Sequence, residues 1–158
     1  MAMAMPKAHG DRASDSRSLL DAIGGVGPLA RRLNQVHTRL WYEQVDSDLT
    51  GPQFTVLSLL SERGVTDQGT LGALAHLDKS TAAPLLERLR RRGLVELAKD
   101  ERDRRRKLVS LTEEGRELAV RLAPAVLAVN EQMLAPFSDA EREQFLGLLR
   151  RAVQGAER

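Results

Sequence analysis

The stretch from Asp67 to Leu111 constrains the fold most, because two short helical patterns stand there almost end to end and then yield to a different period. Leu71, Leu74 and Ala75 share one side of the first pattern, about Asp67 to Ala75, and Leu85 and Leu89 share one side of the second. Only His76-Leu77-Asp78 separates them. Two short amphipathic helices joined by so brief a turn read as a helix-turn-helix. After Gly93 the spacing becomes that of strands, Leu94-Val95-Glu96-Leu97 and Lys107-Leu108-Val109-Ser110-Leu111, with the nearly all-charged segment Ala98 to Arg106 between them. A hairpin with a long cationic tip, directly following a helix-turn-helix, is a wing.

Helical patterns flank this unit. Gly24-Gly25-Val26-Gly27-Pro28 punctuates the chain, and from Pro28 the residues Leu29, Leu33, Val36, Leu40 and Trp41 keep a helical period to about Val45. Thr50-Gly51-Pro52-Gln53 places a capping Thr three residues before Gln, with Pro in the first turn and Leu49 and Phe54 at the positions of a hydrophobic staple. The helix so opened turns Phe54, Leu57 and Leu60 inward and stops near Gly64. Thr112 caps a long helix with Glu113 and Glu114 in its first turn, where acids oppose the helix dipole, and Leu118, Leu122, Ala125, Val129 and Met133 hold its period. Pro124 is expected to kink it, because its ring clashes with the carbonyl of Val120. Beyond Pro136, Ser138-Asp139-Ala140-Glu141 is a second capping box, opening a last helix with Phe145, Leu148, Leu149, Ala152 and Val153 on one face. The expected fold class is mainly α with a small β-hairpin wing (α+β). Residues 1–17 read as a disordered tail and 18–158 as a single domain, with a winged helix-turn-helix over 50–111 and dimerisation helices over 18–49 and 112–158.

Composition narrows what such a fold can do. At 158 residues and 42% hydrophobic the chain can bury one core. Without cysteine, disulfides, thiolate nucleophiles and zinc-thiolate sites are excluded, and a reducing compartment suffices. The opening Met1 to Pro6 lacks the apolar stretch of a secretory signal, so a cytoplasmic protein without a membrane association is expected. Three scattered histidines, no Gly-rich phosphate loop and no paired carboxylates outside surface helices leave no nucleophile–base or metal constellation, so neither an enzyme nor a cofactor is expected. Charge is the informative quantity: residues 79–107 hold eleven Lys and Arg against five Asp and Glu, while the whole chain carries only +2. A basic block within an otherwise slightly acidic chain is the sequence footprint of a phosphate-backbone partner, although a solvated, salt-bridged face has the same composition.

Three stretches sharpen this reading: Leu49-Thr50-Gly51-Pro52-Gln53-Phe54-Thr55-Val56-Leu57, then Leu77-Asp78-Lys79-Ser80-Thr81, then Asp103-Arg104-Arg105 running into Leu111-Thr112-Glu113-Glu114-Gly115. In this order and spacing they resemble the multiple-antibiotic-resistance regulator (MarR) family over roughly residues 29 to 153. The resemblance implies a bacterial transcription regulator, an obligate homodimer with a winged helix-turn-helix in each subunit. It implies binding to pseudo-palindromic double-stranded DNA, most often as a repressor, and frequent release by small aromatic or phenolic ligands. A non-specific architectural DNA binder and a winged-helix adaptor without operator specificity remain the alternatives.

If the helix after Asp78 enters the major groove, its open face carries Lys79, Ser80, Ala83, Pro84, Glu87, Arg88 and Arg91, with Ala82, Leu85, Leu86 and Leu89 inward. Lys79, Ser80 and Thr81 then meet a phosphate or base edge at the helix start, Arg88 and Arg91 meet phosphates near its end, and Ala83 and Pro84 read thymine methyl groups. Ala83-Pro84 departs from the family, in which polar residues often stand here. Pro84 is also expected to delay the helix start to Ser80 or Thr81, or to bend the helix. In the wing, the family pattern implies that Arg105 enters the minor groove while Asp103 holds the loop, and Arg104 and Arg106 are expected on flanking phosphates. His37 and Trp41, four residues apart on one helix face, are the candidates for an aromatic effector, although Trp41 reads as readily as a core residue.

Overall fold

A computed structural model describes residues 24–156, so the expected tail at 1–17 lies outside the described residues. The chain parts into two compact units, Met1–Arg39 and Leu40–Arg158. Within the first, the described residues form most of a helix, α1, Val26–Gln44, whose last turn belongs to the second unit. Leu29 is exposed, and Leu33 and Val36 are half-buried.

The second unit holds α2 (Gly51–Arg63), β1 (Thr66–Asp67), α3 (Gln68–Leu74), α4 (Lys79–Arg91), β2 (Val95–Lys99), β3 (Lys107–Leu111), α5 (Glu113–Leu134) and α6 (Asp139–Ala156). The caps read from the sequence are in place. The Thr50 N–H donates to Gln53 Oε1 at 3.0 Å, the Gly115 N–H to Thr112 Oγ1 at 3.0 Å, and the Ser138 N–H to Glu141 Oε2 at 2.8 Å. Glu141 also accepts from the Ser138 hydroxyl, and the two bonds hold its carboxyl below the ordinary value.

The sheet is antiparallel in the order β1-β3-β2, and β1 is an addition to the expected hairpin. Thr66 pairs with Val109 and Asp67 with Leu108, which fastens the start of α3 to the wing's return strand. Strand β2 extends two residues beyond the expected Leu97, because Ala98 and Lys99 still pair with Leu108 and Lys107. The tip of the wing is thereby confined to residues 100–106.

Leu49, Val56, Leu57, Leu60, Leu71, Leu86, Leu89, Val95 and Val109 form the buried centre, where α2, α3, α4 and the sheet meet. Beyond it, α5 packs on α2, and Gly115, Ala119, Leu122 and Val129 are its buried residues. Pro124 does not interrupt α5, whose residues stay helical on both sides. The carbonyl that its ring displaces belongs to Val120, an exposed residue. Gly115 is required by packing: a Cβ there would stand 2.1 Å from the carbonyl oxygen of Leu94. Thr112 completes this junction, donating its N–H to Leu94 O at 3.2 Å and its hydroxyl to Gly93 O at 2.7 Å. The first turn of α5 is thus fastened to the chain leaving α4. At the other end of α5, Phe137 stacks on Phe145 and Arg142 pairs with Glu131 at 2.8 Å.

Candidate nucleic-acid interface

Helix α4 is positioned by burial. Ala82, Leu85, Leu86 and Leu89 all face the core, as their spacing predicts, and Lys79, Ser80, Thr81, Ala83, Pro84, Arg88 and Arg91 are exposed. Its start differs from expectation, because α4 begins at Lys79 rather than later. Asp78 is the cause: its Oδ1 accepts from the Thr81 N–H at 2.7 Å and the Ser80 hydroxyl at 2.6 Å. These two bonds, the Ser80 hydroxyl first, keep the Asp78 carboxyl below its ordinary value. Pro84 therefore falls beyond the capped first turn, and the carbonyl it leaves without a helical donor belongs to exposed Ser80. The Thr81 N–H is spent on the cap, which leaves its side chain for a phosphate or base edge. In the preceding turn His76 takes a left-handed φ of 53°, and the Leu77 N–H reaches back to Gly72 O at 2.8 Å.

At the other end of α4, Glu87 receives both arms of Arg90, at 2.9 and 2.7 Å, and the Nε of Arg91 at 3.2 Å. Arg90 first, then Arg91, hold its carboxyl down at about 2. Both guanidiniums stay largely exposed, so the pairing orients them without burying them. A groove of about 280 Å³ runs between the start of α2 and this helix, lined by Thr50, Pro52, Gln53, Thr81, Pro84, Leu85 and Arg88. Ala83 does not line it.

The wing is shaped by polar bonds instead. Asp103 Oδ1 accepts the Arg105 N–H at 3.0 Å and Asp103 O accepts the Arg106 N–H at 2.9 Å, while Asp100 donates its N–H to Arg106 O at 3.1 Å and accepts the Arg102 N–H at 2.9 Å. Asp103 has the loop-holding place that the family pattern implies, and Arg104 and Arg105 are exposed. Arg106 is placed otherwise than expected: its Nη2 is 2.9 Å from Asp67 Oδ2 and its Nη1 3.9 Å from Asp100 Oδ2. Asp67 is the residue that sequence reasoning missed. Its carboxylate caps α3 through the Thr70 N–H at 3.1 Å and the Thr70 hydroxyl at 2.7 Å. Thr70 first, with Arg106 in support, lowers its pKa to about 2. The Asp67-x-x-Thr70 spacing was a visible capping signal, but its partner lies 39 residues away.

Of the effector candidates, Trp41 is a core residue. It is 3% exposed, donates its indole N–H to Leu49 O at 2.7 Å and meets the Phe54 ring edge-on at 5.9 Å. His37 is half-buried on α1. Among the described residues no cluster of three His, Asp or Glu could hold a metal ion, and no single helix is long and apolar enough to cross a membrane.

A mostly helical chain with a three-stranded antiparallel sheet, a capped recognition helix and an arginine-bearing wing is a winged helix-turn-helix protein. The MarR family model matches residues 49–107. The repressor NicR of Pseudomonas putida, described as HTH-type, is 34% identical over 138 residues, 87% of each chain. Among solved structures, the PcaV transcriptional regulator of Streptomyces coelicolor, in complex with its natural ligand, superposes with a TM-score of 0.81 at 38% identity, covering 85% of this chain and 96% of that one. Bordetella bronchiseptica BpsR, whose DNA binding is regulated by 6-hydroxynicotinic acid, gives 0.79 at 32% identity, covering 83% and 94%. The chain belongs to the MarR family and is a DNA-binding transcriptional regulator.

Proposed function

We propose that this protein is a cytoplasmic homodimeric repressor that reads a pseudo-palindromic operator with α4 in the major groove and Arg105 in the minor groove. The observation that carries this reading is the wing: Asp103 holds the backbone of Arg105 while its side chain is exposed, the arrangement a minor-groove guanidinium needs. On α4, Lys79, Arg88 and Arg91 meet phosphates, Ser80 and Thr81 lie against the backbone at the helix start, and Ala83 and Pro84 contact thymine methyl groups. Arg104 flanks Arg105 on a phosphate.

Dimerisation is supported by apolar side chains on the terminal helices. Val120 and Leu127 on α5 are 66% and 63% exposed, and Leu148, Leu149 and Val153 form a second exposed group on α6. A dimer sets two recognition helices about one DNA turn apart, roughly 34 Å, so a ligand that alters their separation alters affinity. BpsR supports a small aromatic acid as that ligand, and the ligand-bound PcaV structure supports a bound effector. His37 is proposed as a contact of that ligand, with the fluorescence of Trp41 as the reporter.

The test is fluorescence anisotropy against DNA upstream of its own gene and against a random duplex, over a salt series. A steep salt slope, preference for the upstream duplex and two subunits per duplex are the expected results, with release by 6-hydroxynicotinate. Equal, weak binding to both duplexes overturns the operator reading, and sedimentation as a 17.5 kDa species overturns the dimer.

A further inference from the structure

We propose that Arg106 is a positioning residue rather than a phosphate contact: through Asp67 it latches the wing to the helix-turn-helix and so sets where Arg105 meets the minor groove. The inference rests on the reading of the wing given above and assigns that wing a specificity-determining support.

Arg106 stands where the tip closes on itself, its N–H on Asp103 O and its carbonyl receiving the Asp100 N–H. From that point its side chain leaves the wing and reaches Asp67 at 2.9 Å. Asp67 is a firm anchor. Its backbone is paired with Leu108 in the sheet, its carboxylate is bonded twice to Thr70, and its side chain is only 20% exposed. The guanidinium therefore ties the closing residue of the wing to the cap of α3, which in turn packs on α4. Arg105 precedes Arg106 in the chain, and both donate their N–H to Asp103. Fixing Arg106 thus limits the swing of Arg105 relative to the recognition helix. A guanidinium already facing Asp67 and Asp100 also contributes little net charge to counterion release, unlike exposed Arg104 and Arg105.

The experiment uses the full chain, a duplex that the wild-type protein recovers from a randomised pool, and a scrambled duplex of the same composition. Asp67→Asn, Arg106→Ala and the double variant are each expected to weaken the recovered duplex by about two- to fivefold, the range of a partly exposed ion pair. The scrambled duplex is expected to change little, and the double variant to be no weaker than either single one, because both remove the same link. Asn caps a helix about as well as Asp, so Asp67→Asn leaves α3 intact. Arg106→Lys, which keeps the charge but loses the planar fork, is expected to follow Arg106→Ala and serves if the Asp67 variant melts early.

A phosphate contact gives the opposite pattern and overturns the latch. Arg106→Ala then weakens both duplexes and lowers the salt slope by about one, Arg106→Lys behaves as wild type, and Asp67→Asn, by releasing a cation, tightens binding. Arg105→Ala separates the two levels of argument. Its loss of affinity with unaffected Asp67 and Arg106 variants overturns the latch alone, whereas no loss in Arg105→Ala overturns the wing reading and the latch with it.

Discussion

Helix α4 and the wing both carry side chains proposed to meet DNA, yet they are held in place by different forces. Four apolar residues, Ala82, Leu85, Leu86 and Leu89, fasten α4 to the core, and Asp78 fixes where it starts. Residues 100–106 of the wing bury no side chain fully and take their shape from Asp100, Asp103 and the Arg106–Asp67 pair. Burial of apolar surface is not screened by salt, whereas exposed ion pairs are weakened by it. The helix is thus held rigidly, and the shape of the wing depends on charge. Their outward faces differ to match, Ala83 and Pro84 being short and apolar on the helix while arginines crowd the wing.

The largest expected effect breaks the comparison on the helix side. Leu89 is fully buried, so Leu89→Ala is expected to cost about 2–5 kcal/mol of stability in urea unfolding and to abolish binding to every duplex. A wing substitution has no such effect on folding. Arg105→Ala comes next, with an unchanged unfolding midpoint and about 1–3 kcal/mol less operator affinity by anisotropy, concentrated at the minor-groove positions. Replacing thymine by uracil opposite α4 is expected to cost about 1 kcal/mol or less, the worth of one methyl contact. Unchanged affinity at every position removes Ala83 and Pro84 as readers.

Smaller still, Arg91→Ala is expected to weaken all sequences alike and lower the salt slope by about one. Acid gives the least effect. With the Asp67 carboxyl lowered from 3.8 to about 2, protonation favours the unfolded chain, so its stabilisation is complete above 3.8 and is lost as pH falls through about 2. Glu87 behaves alike, from 4.5 to about 2. Carboxyl NMR titration is expected to show both midpoints, with that of Asp67 rising in Thr70→Val and in Arg106→Ala.

Local interactions explain which features were legible before the fold was known. A cap needs a side chain and an N–H three residues apart, so Thr50, Thr112 and Ser138 announced helix starts correctly. The inward face of α4 was legible for the same reason, since a helical period decides it. Strand β1 was not, because two residues carry no period and exist as a strand only through Val109 and Leu108. Pro84 does not delay the start of α4, because the Asp78 cap fixes the first turn ahead of it. Arg106 looked like one more cation in a basic run, and nothing nearby in the chain marks it as the partner of Asp67.

By itself, then, the sequence determined the order of the elements other than β1, the caps of α2, α5 and α6, the buried side of α4 and the family. These are set by contacts within a few residues, or by a pattern that survives without coordinates. Only the tertiary structure decided which arginine is free and which is tied, that Trp41 belongs to the core, and that Gly115 admits the Leu94 carbonyl. Each of those joins residues distant in the chain or depends on a close approach of backbone, and local spacing carries no record of either.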